Sequence, residues 1–371
     1  MTKEEIQKFQ TALKNIKQTI SNEEDKNFKL LFFVADSKGV PIGSLAYTYG
    51  LAKMCQDLGY DVRMLYADKD FVGVEKWLGP EYSTLKHYDT TKENIDVNAS
   101  DFLFMPELLS NIMTKTKDLP CKKIALLEDW GYFVDTIPLG STWEKLGIYD
   151  CITTSEFMKE RIKTIFPKLN VFVIPPFIDD VFNIDESDNT PKMIVNIISK
   201  DERNINAIVK PFKWRYPVYN FVSFRYINGR SHEEMAKFLK EGNISVWIDS
   251  DTDFGYSALE AMACGNIVIG KIPDSIPEWM KEGNEFADNG LWFYNINDLP
   301  KILADVIQSS LYNKIPQIVH EKSTETIKKY RKENITETLN KCINEWMVGR
   351  RIEELTKFKK EIENNLEENK E

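Results

Sequence analysis

The sequence predicts an α/β protein made of two doubly wound parallel-sheet domains facing each other across a cleft. Three observations carry this expectation. Apolar runs alternate with helix-like stretches in two successive series, a polar stretch at 185–191 separates the series, and each series holds a glycine turn between a strand and a helix. The chain has 371 residues, enough for two cores of ordinary size.

The first series contains Leu30–Val34, Phe102–Met105, Ile124–Leu127 and Val171–Ile174, each read as a buried strand. Leu30–Val34 is followed by Asp36-Ser37-Lys38-Gly39-Val40-Pro41-Ile42-Gly43-Ser44. A helix-like segment then runs to Leu58, and Gly59-Tyr60-Asp61-Val62 opens the next strand. A strand, a glycine loop and a helix make the usual phosphate-cradling unit, although this loop is neither a dinucleotide fingerprint nor a Walker sequence. The second series runs through Met193–Ile198, Tyr219–Phe224, Ile244–Ile248 and Ile267–Ile269. The expected division is an amphipathic helix at 1–28, domains at 29–180 and 181–345, and a charged helix at 346–371.

Both ends carry helical apolar seams: Ile6, Phe9, Leu13, Ile16 and Ile20 at one, Ile352, Leu355, Ile362 and Leu366 at the other, the latter interrupted by Lys359. Such helices cover the domains, pair in a homodimer, or lie on a membrane surface, and the pattern leaves these open.

Composition narrows the class. Hydrophobic residues at 42% and charged residues at 29% describe a soluble globular protein. No apolar run reaches the roughly 18 residues of a membrane span, and the polar MTKEEIQKFQ start does not read as a signal peptide. Five dispersed cysteines without C-x-x-C spacing suggest free thiols in a reducing compartment. The expected location is the cytoplasm, with peripheral membrane contact left open. A net charge of −10 argues against a broad nucleic-acid surface.

The most informative stretch runs from Asp253 to Gly265. Phe254-Gly255 turns from the strand Ile244–Ile248 into a short helix beginning near Ser257 and stopped by Gly265, a left-handed cap. A helix N-terminus behind a glycine turn offers free N–H groups and the positive dipole end to a phosphate. Glu260, in the first helical turn, can accept hydrogen bonds from sugar hydroxyls. Alternatively, Ser257-x-x-Glu260 is a capping box, with the carboxylate returning to the Ser257 N–H.

The segment FGYSALEAMACGNIVI resembles the nucleotide-sugar motif of retaining glycosyltransferases of the GT-B fold, particularly glycosyltransferase family four. Pro41-Ile42-Gly43-Ser44 is similar to that family's Pro-x-Gly-Gly loop, with serine at the second glycine. Gly59-Tyr60-Asp61-Val62, Asp150–Ser155, Val171–Pro176 and Ser231–Met235 match further family segments in order, over roughly 29–345. Asp150–Ser155 resembles the last strand of the N-terminal domain, and Val171–Pro176 the passage to the second.

The resemblance implies two Rossmann-like domains and a donor held by Gly43, Ser44, Asp253, Phe254, Gly255, Tyr256, Ser257 and Glu260, with Glu260 on the ribose. It implies that Lys200 and Arg203 neutralise the leaving diphosphate, while Lys210 reads as a solvated helix face. Asp129, at the end of Ile124–Leu127, is the candidate for orienting the acceptor or stabilising oxocarbenium character, with Glu128, Tyr132 and Glu107 nearby.

Two positions depart from the family. Its first motif glutamate falls on Thr252, and none of His87, His232 and His320 lies at the end of Ile124–Leu127, where a family histidine is expected. The Asp249/Asp251/Asp253 cluster looks like a metal site, but the fold implies that basic groups hold the diphosphate, so no metal and no cofactor are expected. The implied activity is transfer of a sugar from a nucleoside diphosphate, UDP above all, to a hydroxyl of a glycan, lipid or protein. The alternatives are a catalytically silent GT-B partner subunit and a transferase acting on modified DNA bases.

Overall fold

The computed structural model describes residues 27–184, 193–249, 253–281, 286 and 288–368. The expected N-terminal seam, the polar stretch at 185–191 and the positions Asp251 and Thr252 lie outside these residues, as do the side chains of Leu355, Ile362 and Leu366.

The first sheet contains β1 (Lys29–Phe33), β2 (Asp61–Tyr66), β3 (Lys86–Asp89), β4 (Phe102–Pro106), β5 (Lys122–Leu127), β6 (Ile148–Thr153) and β7 (Asn170–Val173) in the order 3-2-1-4-5-6-7. Every ladder is parallel. The connections include α1 (Gly43–Asp57), α2 (Ser110–Lys115), α3 (Trp130–Thr136) and α4 (Glu156–Ile165). The central strands are buried on both faces: Leu30, Phe32, Phe102, Phe104, Ile124 and Leu126 on one, Leu31, Leu103, Met105, Ala125 and Leu127 on the other. Such strands read as continuous apolar runs, which is why β1, β4 and β5 stand out in the sequence.

The second sheet contains β8 (Ile194–Ile198), β9 (Ser223–Ile227), β10 (Ile244–Trp247), β11 (Ile267–Lys271) and β12 (Leu291–Phe293) in the order 12-11-10-8-9, again all parallel. Its helices are α5 (Arg203–Arg215), α6 (His232–Glu241), α7 (Tyr256–Ala263), α8 (Leu299–Leu311) and α9 (Gln317–Lys329). Strand order reverses at β1/β4 in one sheet and at β8/β10 in the other, and such points place ligands beyond the carboxyl ends of the strands.

Several expectations shift. The strand expected at Tyr219–Phe224 lies at Ser223–Ile227, because Pro217 ends α5 and its neighbours form a 3-10 turn through Tyr219. Strand β7 pairs with β6, so the first sheet ends at Val173 rather than at the Asp150–Ser155 segment. Short, polar β3 and the three-residue β12, apolar but too brief to form a run, were not read as strands.

The boundary drawn at 345 falls inside one helix, α10 (Lys332–Glu368). Its first half returns to the first sheet. Trp346 packs against Phe102, Phe104 and Phe172, and its indole N–H donates to Asp150, 3.1 Å away. Tyr60 donates to Asn340, and Lys332 pairs with Asp57 of α1. The chain therefore crosses between the sheets twice, after β7 and before α10. The crossings are tied together: Ile178 N–H donates to the Tyr330 carbonyl, and the Arg331 guanidinium donates to the carbonyls of Ile178, Asp179 and Phe182.

Candidate active site

A cavity of about 470 Å³ opens between the carboxyl ends of the two sheets. Helix α1 aims its N-terminus at it from one side. Its N-cap, Ile42, has no side-chain acceptor, and no acidic residue sits in the first turn. Helix α7 does the same from the other side. Its N-cap is Gly255 at φ 76°, also without a capping side chain. A Cβ at Gly255 would stand 2.9 Å from the Trp279 ring, so glycine is required twice over, by conformation and by space. Pro41, Gly43, Ser44, Ser257 and Glu260 all line the cavity. Two uncapped helix starts facing one cavity concentrate positive potential where a diphosphate would sit.

Glu260 is 5% exposed, and burial together with the charge of Asp179 pushes its carboxyl up to about 8. It does not close a capping box, because α7 starts at Tyr256, ahead of Ser257. The capping box of this domain is formed instead by Ser231 and Glu234 on α6. That cap sets His232 in the first turn of α6, with Nε2 4.0 Å from Glu260 Oε1. Desolvation lowers the His232 pKa and keeps the ring neutral. Its backbone N–H donates to the Trp77 carbonyl, so the pair joins the two domains across the cleft. Trp77 Nε1 and His232 Nδ1 make no hydrogen bond among the described residues.

The basic candidates separate. Lys200 lines the cavity, and its backbone N–H donates to Asp249. Arg203 does not line it; the guanidinium is 91% exposed and grips Asp201 at 2.6 Å. The carboxylate two residues upstream captures it at the start of α5 and turns it to solvent. Arg230, after β9, lines the cavity in addition to Lys200.

On the first domain, Glu107, Glu128 and Asp129 come together at the ends of β4 and β5. Glu107 accepts from the Asp129 N–H at 3.0 Å, and Glu128 accepts from Thr48 of α1 at 3.1 Å. Burial raises both glutamates, Glu107 to about 8 and Glu128 well above the usual range, and their mutual repulsion adds to the rise of Glu128. Asp129 caps α3 by accepting from the Tyr132 N–H. Glu128, Asp129 and Tyr132 line the cavity, as does Thr154, whose hydroxyl has no partner among the described residues.

Three expected donor residues act through the walls. Asp253 lines the cavity but accepts from the Trp130 N–H across the cleft at 2.8 Å. Arg161 stacks on Trp130 at 4.0 Å and donates to Ser275, which also bonds Asp253. Tyr256 donates its hydroxyl to the Phe177 carbonyl in the first crossing. Phe254 packs on Tyr330, and its carbonyl accepts from Trp279. Trp77, Thr154, His232 and Arg230 were missed as site residues, and no local pattern marks Trp77, Thr154 or Arg230. His232 alone carried a signal, in the capping box that fixes it.

Two all-parallel sheets with a cavity between their carboxyl ends define the GT-B fold of glycosyltransferases, and solved structures agree. Sucrose-phosphate synthase from Thermosynechococcus elongatus superposes with a TM-score of 0.61 at 12% identity, over 87% of this chain and 100% of that one. A single-residue mutant of S. aureus TarM, in complex with fondaparinux, α-GlcNAc-glycerol and UDP, gives 0.63 at 12% identity, over 84% and 98%. Anabaena HepE in complex with UDP-glucose gives 0.59 at 12% identity, over 85% and 99%. Among curated proteins, an α-1,6-glucosyltransferase of Actinobacillus pleuropneumoniae serotype 7 (strain AP76) is 28% identical over 143 residues. That match covers 36% of this chain and 43% of the relative, less than half its length. No protein-family model matches the chain.

Proposed function

We propose that this protein is a glycosyltransferase that moves a sugar from UDP to an acceptor hydroxyl, with retention and without a metal. The observation that carries the reading is the convergence of two uncapped helix N-termini, Lys200 and Glu260 on one cavity. The helix starts and Lys200, with Arg230, stabilise the charge that grows on the departing diphosphate. Glu260 accepts from the ribose hydroxyls, and the Glu128–Asp129 edge orients the acceptor hydroxyl beside the donor. UDP is favoured because TarM and HepE were solved with it. Retention is favoured by the family-four resemblance and by the α linkage in the glucosyltransferase's name.

The test is titration calorimetry with UDP and a panel of nucleotide sugars, followed by NMR of the transferred anomer. Tight binding of UDP, slow donor hydrolysis without acceptor and an α product are expected, all unchanged in EDTA. Absence of nucleotide binding would overturn the reading. Activity lost in EDTA and restored by manganese would make Asp249 and its neighbours a ligand set. Binding without any hydrolysis or transfer would favour a non-catalytic subunit.

A further inference from the structure

The acidic chain carries one segment of opposite character. Between Glu202 and Glu233 no Asp or Glu occurs, although the whole sequence holds 58 of them. In their place stand Arg203, Lys210, Lys213, Arg215, Arg225 and Arg230, the last five interleaved with aromatic side chains. At the end of α5 and in the turn that follows, three large apolar side chains project outward: Trp214 at 77%, Val218 at 71% and Phe221 at 59% exposure. Phe212 anchors the segment in the core, stacked near Tyr219 and edge-on to Phe224. The aromatic projection therefore stands on a rigid base.

The cations stay close to it. Lys213 lies over the Phe224 ring and Arg215 over Tyr216, each 5.5 Å from the centroid. Of the nearby carboxylates, Glu241 is already paired with Arg225 at 2.8 Å.

We propose that Trp214, Val218 and Phe221, ringed by Lys210, Lys213 and Arg215, dock the protein on an anionic membrane surface. Charge complementarity selects this occupant: a chain of net charge −10 concentrates cations and exposed indole and phenyl groups in one place. Amphipathic aromatic rings with basic neighbours settle at the headgroup level, and each basic residue near an anionic leaflet strengthens partitioning about fivefold. Screening beyond roughly 8 Å at physiological salt keeps the acidic remainder from cancelling the attraction. The surface is distinct from the cavity. Helix α5 starts at Arg203, three residues beyond the cavity-lining Lys200, and Trp214 lies eleven residues, about 16 Å, further along it. The proposal therefore stands whether or not the transferase reading does.

The experiment is co-sedimentation of the full chain with vesicles of phosphatidylcholine alone or mixed with phosphatidylglycerol, at two salt concentrations. Binding is expected only to the anionic vesicles, weakened by salt. It should fall at least tenfold in Trp214→Ser/Phe221→Ser and in Lys210→Glu/Lys213→Glu/Arg215→Glu. Tm and far-UV circular dichroism, read in parallel, should stay unchanged in both variants, which shows that they fold. No binding to anionic vesicles, or equal binding by the variants, overturns the proposal. So does a concentration-dependent dimer in ultracentrifugation that the variants abolish without any vesicle binding, since a second copy would then be the occupant. Capture by a soluble polyanion with no vesicle binding overturns it as well.

Discussion

Glu260 should behave as a titrating ligand for the ribose. Its folded pKa, about 8, lies above the ordinary 4.5. The folded state thus holds a proton that the unfolded state has lost, and stability falls as pH rises from about 4.5 to 8, then levels off. Glu260→Gln mimics the neutral acid, so the difference in Tm between wild type and variant should widen over that window and be flat above it. Above about pH 8, where the wild-type carboxyl is ionised, UDP affinity should drop about tenfold or more, the worth of a charge-assisted hydrogen bond. Lowered stability with unchanged affinity would return Glu260 to a structural role.

Lys200 and Arg203 make a second test at this scale. Lys200→Ala should slow hydrolysis about a hundredfold through lost leaving-group stabilisation. Arg203→Ala should stay within about threefold, because its guanidinium belongs to Asp201 at the surface. Equal losses in both variants would mean that Arg203 swings inward when donor binds. The sequence could not separate them: both follow β8, and only the folded start of α5 shows the Asp201 carboxylate claiming one of them.

At the scale of elements, β1, α1 and the β10–α7 unit were legible because their signals are local. Buried parallel strands are unbroken apolar runs, and the glycine turn at Gly255 is written in the sequence. What was not legible came from elsewhere in the chain. Trp77 reaches the cavity from a loop of the first domain, and His232 reaches it because the Ser231–Glu234 cap fixes the first turn of α6. Strand β7 was read as buried from its apolar run, whereas at the sheet edge its residues are only partly covered. Gly255→Ala tests the turn. A Cβ in a left-handed backbone, 2.9 Å from Trp279, should cost about 1–2 kcal/mol and raise the KM for donor by tilting α7. Urea unfolding and donor kinetics on one preparation measure both. A variant as stable and as tight-binding as wild type would show that the turn is not a constraint.

For the whole molecule, the two tied crossings and the Asp253–Trp130 contact define how the domains can move. Opening the cleft must break the Asp253 hydrogen bond and the Trp77–His232 contact, while the Ile178–Tyr330 and Arg331 bonds can hold as the axis. Trp346→Ala should remove about 3–5 kcal/mol from the first domain, although the residue lies far beyond that domain's last strand in sequence. Calorimetry should show that loss without a matching loss in the second domain. If both domains lost stability together, the two would be one cooperative unit.

The position of Trp346 also orders events at the ribosome. All seven strands of the first sheet emerge before Ile174, yet part of one hydrophobic face is covered by a helix made only after the whole second sheet. During synthesis the second sheet can close on its own helices while the first waits with Phe102, Phe104 and Phe172 uncovered. This is a protein whose first domain finishes last, and its exposure to chaperones and to misassembly is set by the time taken to translate the other half.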